Sequence, residues 1–231
     1  MKFHYLAAAV LGGLLTDTAF AQDKPDLKDT KQRSSYAIGT DIGSNLKRQD
    51  LELDPKALVA GIADAFAGKL ALTDAEVRET LTEFRSQMMA KMQAKEKVAG
   101  DKNLKDGETY LAANAKKEGV KSTKSGLQYK VIKSGTGKTP KASDTVKVHY
   151  HGKLTDGTVF DSSVERKEPA TFPVNGVIPG WTEALQLMKE GDKWEITLPS
   201  AIAYGERGAG GKIGPNSVLV FEVELLSIEK E

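Results

Sequence analysis

Residues 146–163 read Val-Lys-Val-His-Tyr-His-Gly-Lys-Leu-Thr-Asp-Gly-Thr-Val-Phe-Asp-Ser-Ser and predict a β-hairpin. From Val146 to Tyr150, apolar residues alternate with Lys and His, which is the two-residue period of a half-buried strand. The pair Asp156-Gly157 then supplies a strong signal for a tight hairpin turn. We therefore expect two antiparallel strands at the start of the main sheet.

The second strand of this hairpin carries Phe160 and Asp161. Together with Tyr150 they give one face of the hairpin two aromatic rings and a carboxylate. A carboxylate is unusual in a plain apolar core, because a buried charge needs a partner. The hairpin is therefore expected to form part of a pocket as well as part of a core.

Composition limits the classes of protein to consider. The chain has 231 residues, 39% of them apolar and 28% charged, and a net charge of +1. These values fit one or two ordinary globular domains and argue against a dedicated nucleic-acid binder. The chain has no cysteine, which excludes disulfides, thiolate nucleophiles and cysteine-ligated metals.

Residues 1–21 are predicted to be a signal peptide. Lys2 precedes an apolar run over residues 6–15, and Ala19-Phe20-Ala21 has the form of a signal-peptidase site. The run is too short to span a bilayer, so we expect export to the periplasm, with outer-membrane association or surface exposure left open. Asp17 is atypical of a signal, and retention of the segment is the alternative.

Residues 22–72 are predicted to form a helical dimerisation domain. Asp54-Pro55 is a helix start, since Asp is a good N-cap and Pro is tolerated at the first helical position. Gly39 and Gly43 lie one turn apart and indicate close helix packing; a membrane-dimer interpretation lacks the apolar segment that it needs.

Residues 73–118 are predicted to form a long connecting helix. It opens on the capping box Thr73-Asp-Ala-Glu76. Its apolar residues follow a coiled-coil-like spacing before the sequence becomes polar: Val77, Leu81, Phe84, Met88, Met89 and Met92. We expect homodimerisation through the N-terminal helices; packing of the methionines within one chain is the alternative.

At Gly119 helix formers give way to β-branched and aromatic residues, so residues 119–231 are predicted to form a second domain. The predicted strands are 127–132, 145–151, 158–161, 171–174, 193–198 and 218–228. Only residues 181–188 have the pattern of a helix. The expected fold class is α+β, with an antiparallel sheet covered by one short helix and preceded by an all-α region.

Nucleophilic and metal chemistry find little support in the sequence. The histidines of the mature chain, His149 and His151, lie on the strand face opposite Tyr150 and are expected to be solvated; weak metal binding is the alternative. The glycine-rich tract 205–216 lacks the spacing and the following helix of a phosphate loop. We interpret it as a flexible loop beside a site.

Aromatic residues are more numerous than one small core requires. They describe a concave apolar pocket with few polar groups, the usual form of a site for a small ligand or a peptide. Its expected members are Tyr150, Phe160, Asp161, Phe172, Trp181, Tyr204 and Phe221.

Five motifs in this order resemble the FKBP-type peptidyl-prolyl cis-trans isomerases over about residues 120–231. They are Val148-His-Tyr-His-Gly152, Asp156-Gly-Thr-Val-Phe-Asp-Ser-Ser163, Val177-Ile-Pro-Gly-Trp181, Ala203-Tyr-Gly205 and Leu219-Val-Phe-Glu-Val-Glu-Leu225. Tyr36-Ala-Ile-Gly-Thr-Asp-Ile-Gly43 and the long helix resemble the N-terminal module of the macrophage infectivity potentiator (Mip) branch.

This resemblance implies a half-barrel sheet around the short helix and a role for each pocket residue. Trp181 would form the floor under the proline ring, and Tyr204 and the Ile178 N–H would donate to substrate carbonyls. Asp161, held by Arg166, would face the rotating amide. The walls would be Tyr150, Phe160, Phe172, Val177, Ile178 and Phe221.

The resemblance also implies partners: proline-containing peptides, unfolded exported proteins, rapamycin-like macrolide inhibitors and a second copy of the chain. It implies no cofactor, no metal and no membrane segment in the mature protein. Ala170 and Ala209 depart from the common Phe and His of the family, which affects loop contacts and specificity. A periplasmic chaperone that binds unfolded chains, with incidental isomerase activity, is the alternative function.

Overall fold

The computed structural model describes residues 24–49 and 51–229. The predicted signal peptide, residues 1–21, lies outside this range. Within these ranges the α-helices are α1 (Thr30–Arg48), α2 (Pro55–Ala67), α3 (Asp74–Asn114), α4 (Ser163–Arg166) and α5 (Pro179–Leu185). The seven strands are β1 (Val120–Ser122), β2 (Gln128–Lys133), β3 (Thr145–Leu154), β4 (Val159–Ser162), β5 (Ala170–Pro173), β6 (Lys193–Leu198) and β7 (Leu219–Glu229).

The chain divides into two compact units between Thr73 and Asp74. The first contains α1 and α2, which begin at the N-caps Asp29 and Asp54; each side chain accepts a hydrogen bond from the first helical turn. Neither helix contains a buried residue. The long helix α3 belongs to the second unit, together with the whole sheet.

All strand pairs in the seven-stranded sheet are antiparallel, in the order β1-β2-β6-β7-β3-β4, and β5 also pairs with β3. One edge of β3 pairs with β7 along its full length. The other edge is shared: β5 pairs with Thr145–Val148 and β4 with His151–Lys153. The two short strands β5 and β4 therefore follow one another along the same edge of β3.

The core lies between one face of the sheet and α5. Trp181, Ala184 and Leu185 of the helix are at most 5% exposed and belong to one cluster with the inward residues of β3, β6 and β7. Gly180 permits this contact, because a Cβ there would lie 2.6 Å from a methyl carbon of Leu198 on β6. The predicted α+β architecture is therefore confirmed.

Two short elements escaped the sequence analysis. Strand β1 has only three residues, and α4 is a single turn whose N-cap is Ser162. The helix predicted at 181–188 begins two residues earlier, because Pro179 occupies its first turn, and ends at Leu185. Helix α3 ends at Asn114, short of the predicted limit, and a turn follows at residues 115–116.

Candidate active site

A cavity of about 600 Å³ lies beside α5 and the part of the sheet that contains β3, β4 and β5. Its lining draws on β3, β4, β5, α5 and β7, and on the two connections β5–α5 and β6–β7. The lining residues are Tyr150, Phe160, Asp161, Phe172, Gly176, Val177, Ile178, Trp181, Tyr204, Ala209, Gly210, Lys212, Ile213 and Phe221. Nine of the ten sequence-predicted site residues are in this set; the tenth, Arg166, contacts it from outside.

Trp181 lies at the bottom of the cavity, only 5% exposed. Three rings stand nearly edge-on to it: Tyr150 at 5.5 Å, Phe172 at 6.1 Å and Phe221 at 5.2 Å between centroids. Edge-to-face contacts of this kind add to the stability that apolar burial supplies. The indole Nε1 is buried and has no hydrogen-bond partner among the described residues.

Phe160 and Phe221 form a second edge-to-face pair, with centroids 5.4 Å apart. Gly152 on β3 makes room for them: a Cβ at this position would lie 2.7 Å from the Phe160 ring and 2.8 Å from the Phe221 ring. Gly152 was not among the predicted site residues. Its signal was available, because residue 152 continues the inward series 148, 150 of β3.

Asp161 is bound by two donors. The Tyr150 hydroxyl donates to its Oδ2 at 2.5 Å, and Arg166 Nη1 donates to its Oδ1. Arg166 also donates from Nη2 to the Tyr150 hydroxyl oxygen at 2.9 Å, which closes a triangle of three side chains. Helix α4 brings Arg166 back toward Asp161 within five residues.

The electrostatics of this triangle favour one charge state. Burial raises the pKa of the Tyr150 hydroxyl, and its hydrogen bond to Asp161 raises it further. Burial also acts to raise the pKa of the Asp161 carboxyl, but the bonds from Tyr150 and Arg166 and the Arg166 charge outweigh it, so the pKa is lowered. Bonds to Tyr150 and Asp161 raise the pKa of Arg166. The triangle therefore holds a carboxylate, a neutral phenol and a guanidinium.

Ser163, which is fully buried, fixes the backbone of Tyr150. Its Oγ accepts from the Tyr150 N–H at 2.7 Å and lies 3.2 Å from the Tyr150 carbonyl oxygen, to which it can donate. His149 and His151 were predicted to be solvated; instead they are half-buried and within hydrogen-bond distance of Ser163 and Ser162. Ser163 was not predicted as a site residue, because one serine in a Ser-Ser pair carries no distinct signal.

The opposite wall presents unused donors. Tyr204 is 40% exposed, and its hydroxyl makes no hydrogen bond with any described residue. The same holds for the backbone N–H of Ile178, which precedes α5, within the part of the chain that the structure describes. Ala209 lies in the cavity lining, whereas Ala170 packs against the core beside it.

The described residues include no group of three or more His, Asp or Glu side chains placed to hold a metal ion. The cavity instead combines an apolar floor, a paired carboxylate and two free donors on the far wall. This arrangement can bind an apolar ring and orient the carbonyl groups on either side of it. Proton transfer is not needed for that task.

Two family profiles match the chain. Residues 136–226 match the FKBP-type peptidyl-prolyl cis-trans isomerase, and residues 31–131 match the domain amino terminal to FKBP-type peptidyl-prolyl isomerase. Together they span both the cavity and the helices before it.

Two curated relatives match this chain over most of their length. The chain is 44% identical over 231 residues to the outer membrane protein MIP of Legionella longbeachae, covering 100% of this chain and 99% of the relative. It is 53% identical over 206 residues to the FKBP-type 22 kDa peptidyl-prolyl cis-trans isomerase of Escherichia coli, covering 88% of this chain and 98% of the relative.

A solved structure, FkpA from Escherichia coli, matches with a TM-score of 0.70 at 44% sequence identity, covering 87% of this chain and 98% of that chain. Sequence, fold and cavity therefore agree on one assignment. The chain belongs to the FKBP-type peptidyl-prolyl cis-trans isomerases, in the branch that includes Mip and FkpA.

Proposed function

We propose that this isomerase catalyses rotation about Xaa-Pro bonds of exported proteins by desolvation and fixed hydrogen bonds in the aromatic cavity, and so assists their folding. The observation that carries the proposal is the enclosure of Trp181 by three rings, next to a carboxylate whose charge is already paired. A proline ring fits an apolar floor of this kind. The paired Asp161 would not need to move a proton.

The mechanism follows from the chemistry of the amide. Rotation breaks resonance and costs about 18–20 kcal/mol, and the uncatalysed exchange of Xaa-Pro takes tens of seconds or more. A dry aromatic cavity disfavours the charge-separated planar form, and placed dipoles favour the twisted one. A rate gain on the order of 10⁴-fold needs only about 5.5 kcal/mol.

Each wall has a proposed part in this step. Trp181 supports the proline ring, and Tyr150, Phe160, Phe172, Val177 and Phe221 exclude water. The free Tyr204 hydroxyl and the Ile178 N–H hold substrate carbonyls on either side of the bond. Asp161, fixed by Arg166 and Tyr150, faces the amide as it twists.

A protease-coupled or exchange-NMR assay of an Ala-Leu-Pro-Phe peptide, with and without rapamycin, tests the activity. We expect turnover that saturating rapamycin abolishes. The double variant Tyr204→Phe, Asp161→Ala tests the residues, with Tyr36→Phe in α1 as the matched control for hydroxyl removal. Unchanged turnover in the double variant would show that the site assignment is wrong.

We further propose that the protein is a homodimer joined by its N-terminal helices. The support is that α1 and α2 bury no residue and expose large apolar side chains, among them Tyr36, Ile38, Val59 and Phe66, between 50% and 91% exposed. Apolar surface of this extent typically marks an interaction site. Sedimentation of the mature protein as a monomer at micromolar concentration would contradict the dimer.

Export to the periplasm, with removal of residues 1–21, is the proposed location. No helix among the described residues is long and apolar enough to cross a membrane. Cell fractionation with N-terminal sequencing tests the proposal. A mature protein beginning at Gln22 in the periplasmic fraction is expected, and an intact Met1 in the cytosolic fraction would contradict it.

A chaperone function is the second candidate, favoured by the exposed apolar side chains of the helical region. Two cavities in one dimer would raise the local concentration of sites for a long unfolded chain. Suppression of aggregation by the Tyr204→Phe, Asp161→Ala variant would separate this function from turnover. Loss of that suppression in a Val59→Lys, Phe66→Lys variant would place it on the helices.

A further inference from the structure

The buried residues of helix α3 all lie in its C-terminal part. Its buried residues are Gly100, Gly107 and Asn114, which recur every seven residues and therefore lie along one side of the helix. Asn103 falls on the same side and is half-buried. We call these four residues the docking strip. The half-buried Tyr110 and Leu111 lie beside it, but none of the fully buried residues of α3 has a large apolar side chain, which differs from an ordinary core-facing helix stripe.

Three members of the docking strip, Gly100, Asn103 and Gly107, contact the end of the loop between β6 and β7. A Cβ on Gly107 would lie 2.7 Å from Val218 Cγ2, and one on Gly100 would lie 3.1 Å from Pro215 Cβ. Asn103 Nδ2 donates to the Pro215 carbonyl at 2.8 Å. The helix backbone therefore lies directly against this segment, and glycine is what permits the approach.

The other end of the same loop lies in the cavity wall. Tyr204, Ala209, Lys212 and Ile213 all line the cavity. Within the loop, Ala209 and Ile213 exchange two backbone hydrogen bonds, of 2.8 Å from Ala209 N and 3.0 Å from Ile213 N. Residues 209–213 therefore form a turn that two backbone hydrogen bonds close.

Asn216 joins the two ends. Its backbone N–H donates to the carbonyl of Gly205, next to Tyr204, at 2.9 Å, and its side-chain amide donates to the carbonyl of Gly100 on α3 at 3.4 Å. Asn216 has a positive φ of 57°, a conformation that Asn tolerates better than most residues. Two consecutive hydrogen bonds thus connect α3 to the residue beside Tyr204.

We propose that the docking strip is part of the active-site frame: Asn103, Gly107 and Asn216 are positioning residues that fix the Tyr204 wall for substrate binding. The inference rests on the proposed function in that it takes Tyr204 to contact the substrate. It adds that α3 acts on the cavity of its own subunit.

The sharpest test is Gly107→Ala in the full-length protein. Alanine favours a helix more than glycine does, so any loss of function cannot come from a weaker helix. The added methyl group must displace Val218 and, with it, the loop. The second-site change Val218→Ala removes the methyl group in question and should restore the fit. Gly61→Ala in α2, where a Cβ meets nothing within 4 Å, is the matched control.

We expect Gly107→Ala to raise the KM for a short proline peptide and the Kd for rapamycin by about three- to tenfold, with kcat within about twofold, because substrate contacts are misplaced rather than removed. The double variant Gly107→Ala, Val218→Ala should return both constants toward the parent values. Asn103→Asp, which replaces the donor with an acceptor opposite the Pro215 carbonyl, should resemble Gly107→Ala.

A readout independent of activity separates this inference from the proposed function. Amide hydrogen exchange at Ala209, Ile213 and Asn216 reports the loop hydrogen bonds directly and should accelerate in Gly107→Ala but not in Gly61→Ala. Unchanged exchange, or a lower kcat with unchanged KM and rapamycin affinity, would overturn the inference. An inactive parent protein would refute the proposed function, while the exchange data would still decide whether α3 holds the loop.

Discussion

The helical unit that ends at Thr73 and the unit that contains the sheet differ in how far they bury their aromatic residues. Phe66 on α2 is 91% exposed, whereas Trp181 on α5 is 5% exposed. The second unit places its rings around one another, and the first leaves its apolar side chains without cover within the described chain. The unit with the sheet therefore has a buried core within a single chain, whereas the helices of the first unit expose apolar surface.

The largest expected effect comes from truncating a ring in each unit. Trp181→Ala should lower the free energy of unfolding of the second unit by about 3–5 kcal/mol and abolish measurable turnover, because it removes the cavity floor. Phe66→Ala should change neither, since an exposed side chain contributes little to the stability of a single chain. Urea denaturation followed by tryptophan fluorescence, with an isomerase assay, checks both.

A positive charge on the exposed face of α2 should weaken the dimer but leave turnover in the other unit almost unchanged. Ile62→Lys with Phe66→Lys is expected to weaken the proposed dimer by at least about tenfold in Kd, because a lysine at an apolar interface core is costly. Turnover of a short peptide should stay within about twofold. Sedimentation equilibrium measures the first and an isomerase assay the second; a variant that remains dimeric would show that α2 is not the interface.

Lowering the pH should reduce the stabilisation that the Asp161 carboxylate provides. Because the folded-state pKa of Asp161 is lowered, its stabilising effect is present above its unfolded pKa and is lost as pH falls through the folded value. The difference in unfolding free energy between the parent and Asp161→Asn should therefore shrink as pH drops below about 4. Since Asp161 and Arg166 are both about half exposed, we expect a small difference that salt reduces further.

The smallest expected effect concerns Lys212, which lies in the cavity lining and makes no ion pair within the described ranges. With Asp161 already paired, this lysine leaves the lining with an excess positive charge. Glu-Pro peptides should therefore exceed Lys-Pro peptides in kcat/KM by about twofold at low salt, and Lys212→Glu should reverse the order. Equal values for both peptides in the parent protein would contradict this charge preference.

Much of the cavity could be predicted from the sequence, because the strand and helix patterns indicate which of its residues face inward. Tyr150 and Phe160 follow the strand period, and Trp181 lies on the only helical pattern in the second half of the chain. Gly152 continues the inward series of β3, but the sequence does not show which rings occupy the space beside it. Ser163 was not predicted, because its contacts with the Tyr150 backbone exist only in the folded chain.

The docking strip of α3 could not be found from hydrophobic periodicity. The long helix was predicted to become polar after Met92, and glycine and asparagine are poor helix residues that carry no apolar signal. In the fold the same two residue types are the ones that contact the loop. Glycines without a side chain let this part of α3 approach the loop closely, and sequence rules based on apolar side chains do not detect such a contact.

Gly152 has a consequence for how this protein can evolve. Its missing side chain is replaced by the rings of Phe160 and Phe221, which come from two other strands. A single codon change that adds even one methyl group at 152 would collide with both rings. Descendants should therefore change this position only together with a smaller residue at 160 or 221, and the three positions should covary as one inherited set.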